Sequence, residues 1–266
     1  MRVGLIGGGF MGEALVSALL KGDVAQAGDV TVSDVAAPRR EHLRSRYGVT
    51  VTAENSEALS GAEIVVLAVK PQEFDTIAAG LRGKLTDEQT VLSIMAGMPI
   101  ERIVRGLAHS AIVRVMPNTP AFVGEAMSVW TATDAVTQEG RQAVSGLLKA
   151  LGREVEVTDE KFLDMATAVN GSGPGFIFLF LEAFIEAAVR IGLPQEVAHQ
   201  LAVQTLFGSA ALARESEKTP AELRTMVTSP GGTTAAGLQE LEGAGFRAAI
   251  GAAVEAAYER AKELGA

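Results

Sequence analysis

The 266-residue sequence predicts an α/β chain, with a doubly wound parallel sheet first and an all-α region after it. Three observations carry that prediction. Short apolar runs alternate with helical patterns as far as Thr158, the arrangement that builds a parallel sheet with crossover helices. Beyond Thr158 there is no strand pattern, and each segment has helical periodicity punctuated by Gly and Pro. Between the first strand pattern and the first helix lies a glycine-rich turn, Gly7-Gly8-Gly9-Phe10-Met11-Gly12.

Taken in order, "RVGLI" reads as a strand and Phe10 to Lys21 as a helix. "DVTVSD" is a strand, Pro38 to Tyr47 a helix, and "VTVT" a short strand followed by a short helix. "AEIVVLAV" and "TVLSIMA" are near-continuous apolar runs, as strands covered on both faces require. A helix starts at Pro71, and another runs from Pro99 to Leu107 with proline at its start. "AIVRVM", "AMSVWTAT" and "REVEVT" complete the strands, the last two flanking a helix from Thr137 to Ala150. Helices are then predicted near 160–170, 174–192, 194–215, 219–227, 233–243 and 246–264. The change of pattern sets a division into residues 1–159 and 160–266.

Composition narrows the function. A net charge of -9 argues against nucleic acid as a partner, because such binding rests on basic contacts to phosphate. The absence of cysteine excludes disulfides, zinc thiolates and thiol catalysis, and no metal-ligand spacing is present. A cytoplasmic location is expected. "MRVGLIGGGFMG" breaks into glycines too early for a signal peptide. The most apolar segment, from Gly175, carries Glu182, Glu186 and Arg190 on one helix face, which argues against a membrane span. It is nevertheless apolar over most of its circumference and must be covered all round. A partner subunit would cover it, as would the centre of a small bundle.

The glycine pattern, with Ile6, Gly7, Gly9, Phe10, Met11 and Gly12, has the context of a dinucleotide loop. Gly7 permits the tight turn, Gly9 lets a pyrophosphate approach the backbone, and Gly12 lets the helix pack on the strand. These features define a Rossmann-type domain. Asp34 ends the second strand about 20 residues beyond Gly12, where an acidic group meets the adenosine ribose and favours NAD. Arg39 and Arg40 follow closely and offer a cradle for the 2′-phosphate of NADP, so NADPH and NADH both stand. "AVKPQ" places Lys70 and Pro71 beside the dinucleotide, with Lys70 held extended by the following proline. "MAGMP", Met95 to Pro99, ends the next strand, either at the nicotinamide half or as a plain turn.

Alcohol–ketone chemistry needs a general acid or base at the reacting oxygen. His42, His109 and His199 stand in settings that suit solvated or packed side chains, and Tyr47 and Tyr258 lack a paired lysine. A protonated imine is already electrophilic and asks mainly for orientation and a hydrogen bond to nitrogen. The stretch "TSPGGTTAAGLQELE", from Thr228, suits that need. Thr228 or Ser229 can cap the helix that follows, and N–H groups of Gly231, Gly232, Thr233 and Thr234 can hold an anion. An ordinary helix–helix turn is the alternative. "MPNTP" reads as a rigid turn, and Arg114 before it needs a partner if buried.

The run Ala221 to Glu242 resembles the signature of pyrroline-5-carboxylate reductases, and "AVKPQ", "RVMPNTP" and "GSGP" occur in that family's order across essentially the whole chain. The resemblance implies NAD(P)H-dependent reduction of 1-pyrroline-5-carboxylate to L-proline. It also implies a Rossmann domain followed by a helical substrate-binding and dimerisation domain, in homodimers that can assemble as pentamers of dimers. It makes Thr234 the hydroxyl near the ring nitrogen and places the substrate against Ser229, Pro230, Gly231, Gly232 and Thr233. Glu217 aligns with a carboxylate near the substrate. Asn55 approaches the adenosine, and Val69, Lys70, Pro71, Ala96 and Gly97 the rest of the dinucleotide. The chain departs from the family pattern at "NGSGPGF", Asn170 to Phe176, where Gly175 weakens a helix start by up to about 1 kcal/mol. Two other readings are a β-hydroxyacid dehydrogenase, disfavoured because the helix from Gly175 has no lysine, and a dinucleotide-binding regulator without turnover.

Overall fold

The computed structural model describes residues 1–265. Two compact units divide it: Met1–Ser172 joined by the end of the last helix from Ala257, and Gly173–Ala256.

The first unit begins β1 (Val3–Ile6), α1 (Phe10–Lys21), β2 (Val30–Ser33), α2 (Ala37–Tyr47), β3 (Thr50–Thr52), α3 (Asn55–Ala58) and β4 (Ile64–Leu67). It continues α4 (Phe74–Leu81), β5 (Thr90–Ser93), α5 (Ile100–Leu107), β6 (Ile112–Met116), β7 (Ala126–Ala132), α6 (Gln138–Leu151), β8 (Gly152–Glu156) and α7 (Lys161–Ala166). The strand order is β3-β2-β1-β4-β5-β6-β7-β8. The order reverses between β1 and β4, and in open α/β sheets ligands bind in the crevice outside such a reversal.

The pairs are parallel except β6–β7, which is antiparallel. β7 turns back there because only a 3-10 turn, Thr119–Val123, joins the two strands. A parallel return needs a dozen or more residues. β1, β4 and β5 are buried at every position, as their unbroken apolar runs require. Alternate residues feed two cores. Leu5, Ile64 and Val66 meet α1 and α6 through Leu15, Val16 and Leu148. Ile6, Val65 and Leu67 meet α4 and α5 through Phe74, Leu81 and Ile103.

Arg114 on β6 is only 5% exposed at its side chain, and two carboxylates hold it. Its guanidinium donates to Glu160 at 2.7 Å and to Asp164 at 2.6 Å. Glu160 also accepts the Ile100 amide at 2.8 Å, tying α5, β6 and α7 together. Asn118 donates to Asn170 at 2.8 Å, and Asn170 donates to the carbonyls of Met116 and Met127. Asn170 lies in a π-helical turn, Thr167–Gly171, which continues α7. The departure at this position therefore carries a polar anchor onto β6 and β7.

The second unit contains α8 (Gly173–Arg190), α9 (Gln195–Glu215), α10 (Pro220–Met226), α11 (Thr233–Gly243) and the start of α12 (Phe246–Gly265). α8 forms despite Gly175 in its first turn. Between Gly173 and Ala256 only Ala198 and Ala202 are buried within the chain. Phe178 is 61% and Leu179 66% exposed, so no bundle of this chain's own helices covers α8. The continuous helical run Lys161–Arg190 is long and apolar enough, by length and composition, to cross a membrane.

Candidate active site

The glycine loop takes its shape from the sequence residue by residue. Gly7 has a left-handed φ of 97°, and its N–H donates to the Ser33 carbonyl at 2.8 Å. A Cβ there would sit 2.6 Å from the Ala68 carbonyl oxygen and 2.8 Å from Val69 Cγ1. A Cβ on Gly12 would sit 2.2 Å from the Gly7 carbonyl oxygen, so only glycine lets α1 approach β1. Gly9 is the N-cap of α1, has no side-chain cap and faces open space. Free amides at a helix start beside an open glycine suit a pyrophosphate.

The carboxyl ends of β1, β2 and β4 gather most of the expected coenzyme residues. Asp34 follows β2 half-buried, accepting the Gly8 amide at 2.9 Å and the Ala36 amide at 2.8 Å. Asn55 opens α3 and accepts the Ser33 hydroxyl at 2.8 Å. Val69, Lys70 and Pro71 leave β4, Lys70 exposed and extended with ψ of 142°. Phe10 is exposed at the start of α1, its ring 4.2 Å from that of Phe122, while Ile6 and Gly12 are buried. Met11 is half-buried. Past β5, Ala96 is half-buried, but Gly97 is buried, and a Cβ on it would meet Leu264 at 2.8 Å.

One cluster beside this loop escaped the sequence. Glu13 on α1 accepts from Arg39, from His42 at 2.9 Å and from Tyr47 at 2.9 Å. Burial works to raise its carboxyl, yet the hydrogen bonds from His42, Arg39 and Tyr47 and the Arg39 charge hold it at about 2. The partners lie 26 to 34 residues away in sequence, beyond any periodicity signal. His109 is buried with Nε2 2.7 Å from the Gln89 carbonyl oxygen, and His199 is exposed on α9.

In the second unit, Ser229-Pro230-Gly231-Gly232 is a tight turn closed by the Gly232 amide on the Ser229 carbonyl at 3.0 Å. Pro230 at the second position and Gly231 at φ of 68° at the third suit a type II turn. Two expectations change here. The N-cap of α11 is Gly232 with no side-chain cap, and the Thr228 hydroxyl instead donates back to the Arg224 carbonyl at 2.6 Å. The Gly232 amide is used inside the turn, so the amides that open α11 are those that follow it, at Thr233 and Thr234. Thr233 is exposed and Thr234 half-buried. Glu217 is exposed between α9 and α10.

A dinucleotide loop on a doubly wound sheet, joined to a helical unit with a second glycine-built helix start, defines a nicotinamide-dependent oxidoreductase. Residues 160–264 match the family described as "Pyrroline-5-carboxylate reductase dimerisation". Residues 2–97 match that described as "NADP oxidoreductase coenzyme F420-dependent". A pyrroline-5-carboxylate reductase of Synechocystis sp. is 42% identical, over 100% of this chain and 98% of its own. The pyrroline-5-carboxylate reductase structure from Coxiella burnetii is 33% identical with a TM-score of 0.92, covering 100% of this chain and 98% of that one. The Plasmodium falciparum pyrroline carboxylate reductase structure with NADP bound is 30% identical, with a TM-score of 0.91 and the same coverage. The chain belongs to the pyrroline-5-carboxylate reductase family.

Proposed function

We propose that this chain reduces the C=N bond of 1-pyrroline-5-carboxylate to L-proline with NADPH or NADH, the last step of proline biosynthesis. A bound reduced nicotinamide would supply a hydride to ring C5 of the protonated imine, whose nitrogen keeps its proton and becomes the amine. The carrying observation is the turn Ser229–Gly232, which leaves the α11 amides without a side-chain cap. Those amides and the helix dipole take the substrate carboxylate. The Thr234 hydroxyl meets the ring nitrogen, being able to donate or accept, and Glu217 lies near the substrate. Ile6 to Gly12, Asp34, Asn55, Val69 to Pro71, Ala96 and Gly97 form the coenzyme site. The functional division falls at 159/160, and the chain works in the cytoplasm.

The apolar face of α8 supports a homodimer, which can assemble further into a pentamer of dimers. No histidine, tyrosine–lysine pair or lysine of α8 offers the acid or base that a hydroxyacid dehydrogenase uses. The test is oxidation of NADPH and NADH with 1-pyrroline-5-carboxylate, scoring L-proline. Turnover supports the reading. Activity on 3-hydroxy acids with none on the cyclic imine would replace it.

A further inference from the structure

The two arginines after β2 raise the question of which coenzyme the ribose site favours, and their partners answer it. The inference rests on the dinucleotide site proposed above. Arg39 donates through Nε to the Gly8 carbonyl, and through its terminal nitrogen to the Gly9 carbonyl at 3.2 Å and to Glu13. Its guanidinium is thus paired with a carboxylate that is only 13% exposed. Glu13 is itself fixed by His42 and Tyr47, with Arg46 at 3.9 Å. Arg40 is turned onto the backbone, donating to the carbonyls of Asp34 at 2.7 Å and Val35 at 3.0 Å. The Asp34 carboxylate is anchored by two amides and still has lone pairs for ribose hydroxyls. A 2′-phosphate at that position would face this carboxylate, with Arg39 already committed elsewhere.

We propose that Glu13 is a positioning residue for coenzyme preference: it holds Arg39 on the glycine-loop carbonyls, leaves Asp34 as the governing charge at the ribose, and makes the chain favour NADH. Nothing in this role touches the reacting atoms. Removing the Glu13 charge frees Arg39 to swing toward a 2′-phosphate, for which its fork is well suited.

The experiment measures kcat/KM for both coenzymes, and equilibrium titration of each coenzyme without the imine. The wild type should favour NADH by about tenfold or more. Glu13→Gln should move the ratio toward NADPH by about tenfold, through the KM for NADPH, with kcat for NADH within about twofold. Adding Arg39→Ala to Glu13→Gln should abolish that gain, which a purely structural defect would not do. In the wild-type background, Arg39→Ala should cause no selective loss with NADPH. The proposal is overturned by a wild type that prefers NADPH, by an unchanged ratio in Glu13→Gln, or by a selective NADPH loss in Arg39→Ala. The Arg39→Ala result decides even where Glu13→Gln does not fold. Because the titrations need no substrate, a protein inactive on the imine but with the expected binding ratios would sink the substrate assignment and leave this inference standing.

Discussion

The sheet unit and the helical unit dispose of their apolar residues in opposite ways. β1, β4 and β5 are buried at every position, and two apolar clusters fill both faces of their sheet. From Gly173 to Ala256 the chain buries two alanines, while Ile177, Phe178, Leu179, Phe184 and Phe207 stand exposed. The first unit has its core within the chain. The second has its core-forming surface turned outward, and it is the part that matches a dimerisation family. Apolar patches of that extent mark interaction surfaces. The sheet unit closes its core within one chain, whereas the helical unit, which carries the Ser229–Gly232 turn, leaves most of its apolar surface for another surface to cover.

The largest expected effect breaks the helical side of the contrast. Phe178→Glu puts a charge on the most exposed aromatic of α8 and should turn the assembly into monomers, read by sedimentation at micromolar concentration. Truncation of an interface anchor costs about 2–4 kcal/mol, and a buried unpaired charge adds to that. Coenzyme affinity should persist in those monomers. Its loss would show that the sheet unit is not self-sufficient.

On the sheet side, the paired variants Gly12→Ala and Gly9→Ala separate packing from ligand space. At Gly12 the new Cβ meets the Gly7 carbonyl oxygen at 2.2 Å, so stability should fall by about 1–3 kcal/mol in denaturant unfolding. At Gly9 the Cβ meets nothing within 4 Å, so stability should hold while dinucleotide affinity falls about tenfold or more. Equal loss of stability in both would contradict the loop geometry. Arg114→Ala should cost about 3 kcal/mol, since it strips two carboxylates of their buried partner.

How much was legible in the sequence follows the range of the interactions. The strands and helices appeared in their observed order because apolar runs and glycine punctuation are local signals. Arg114 was expected to need a partner, and Glu160 and Asp164, one helical turn apart, supply it. The direction of β7 was not assigned, because a buried strand reads alike in either direction and only the brief Thr119–Val123 connection fixes it. The cap of α11 was assigned to hydroxyls, whereas a Pro-Gly turn uses backbone and spends the Gly232 amide. Glu13 was invisible because its partners come from another helix.

A further effect concerns acid. The folded Glu13 carboxyl, at about 2, lies below its ordinary 4.5. Its stabilisation is therefore complete above about pH 4.5 and is lost as pH falls through about 2. Glu13→Gln should flatten that part of the acid-denaturation curve, followed by circular dichroism, and an unchanged curve would remove Glu13 from the account.

The most direct test of the division between the two units is Thr234→Ala, assayed with 1-pyrroline-5-carboxylate and titrated separately with each coenzyme. In this variant kcat/KM for the imine should fall by about tenfold or more, about 1.4 kcal/mol, while both coenzyme affinities stay at their wild-type values. Unchanged imine kinetics, or a loss confined to coenzyme binding, would contradict it.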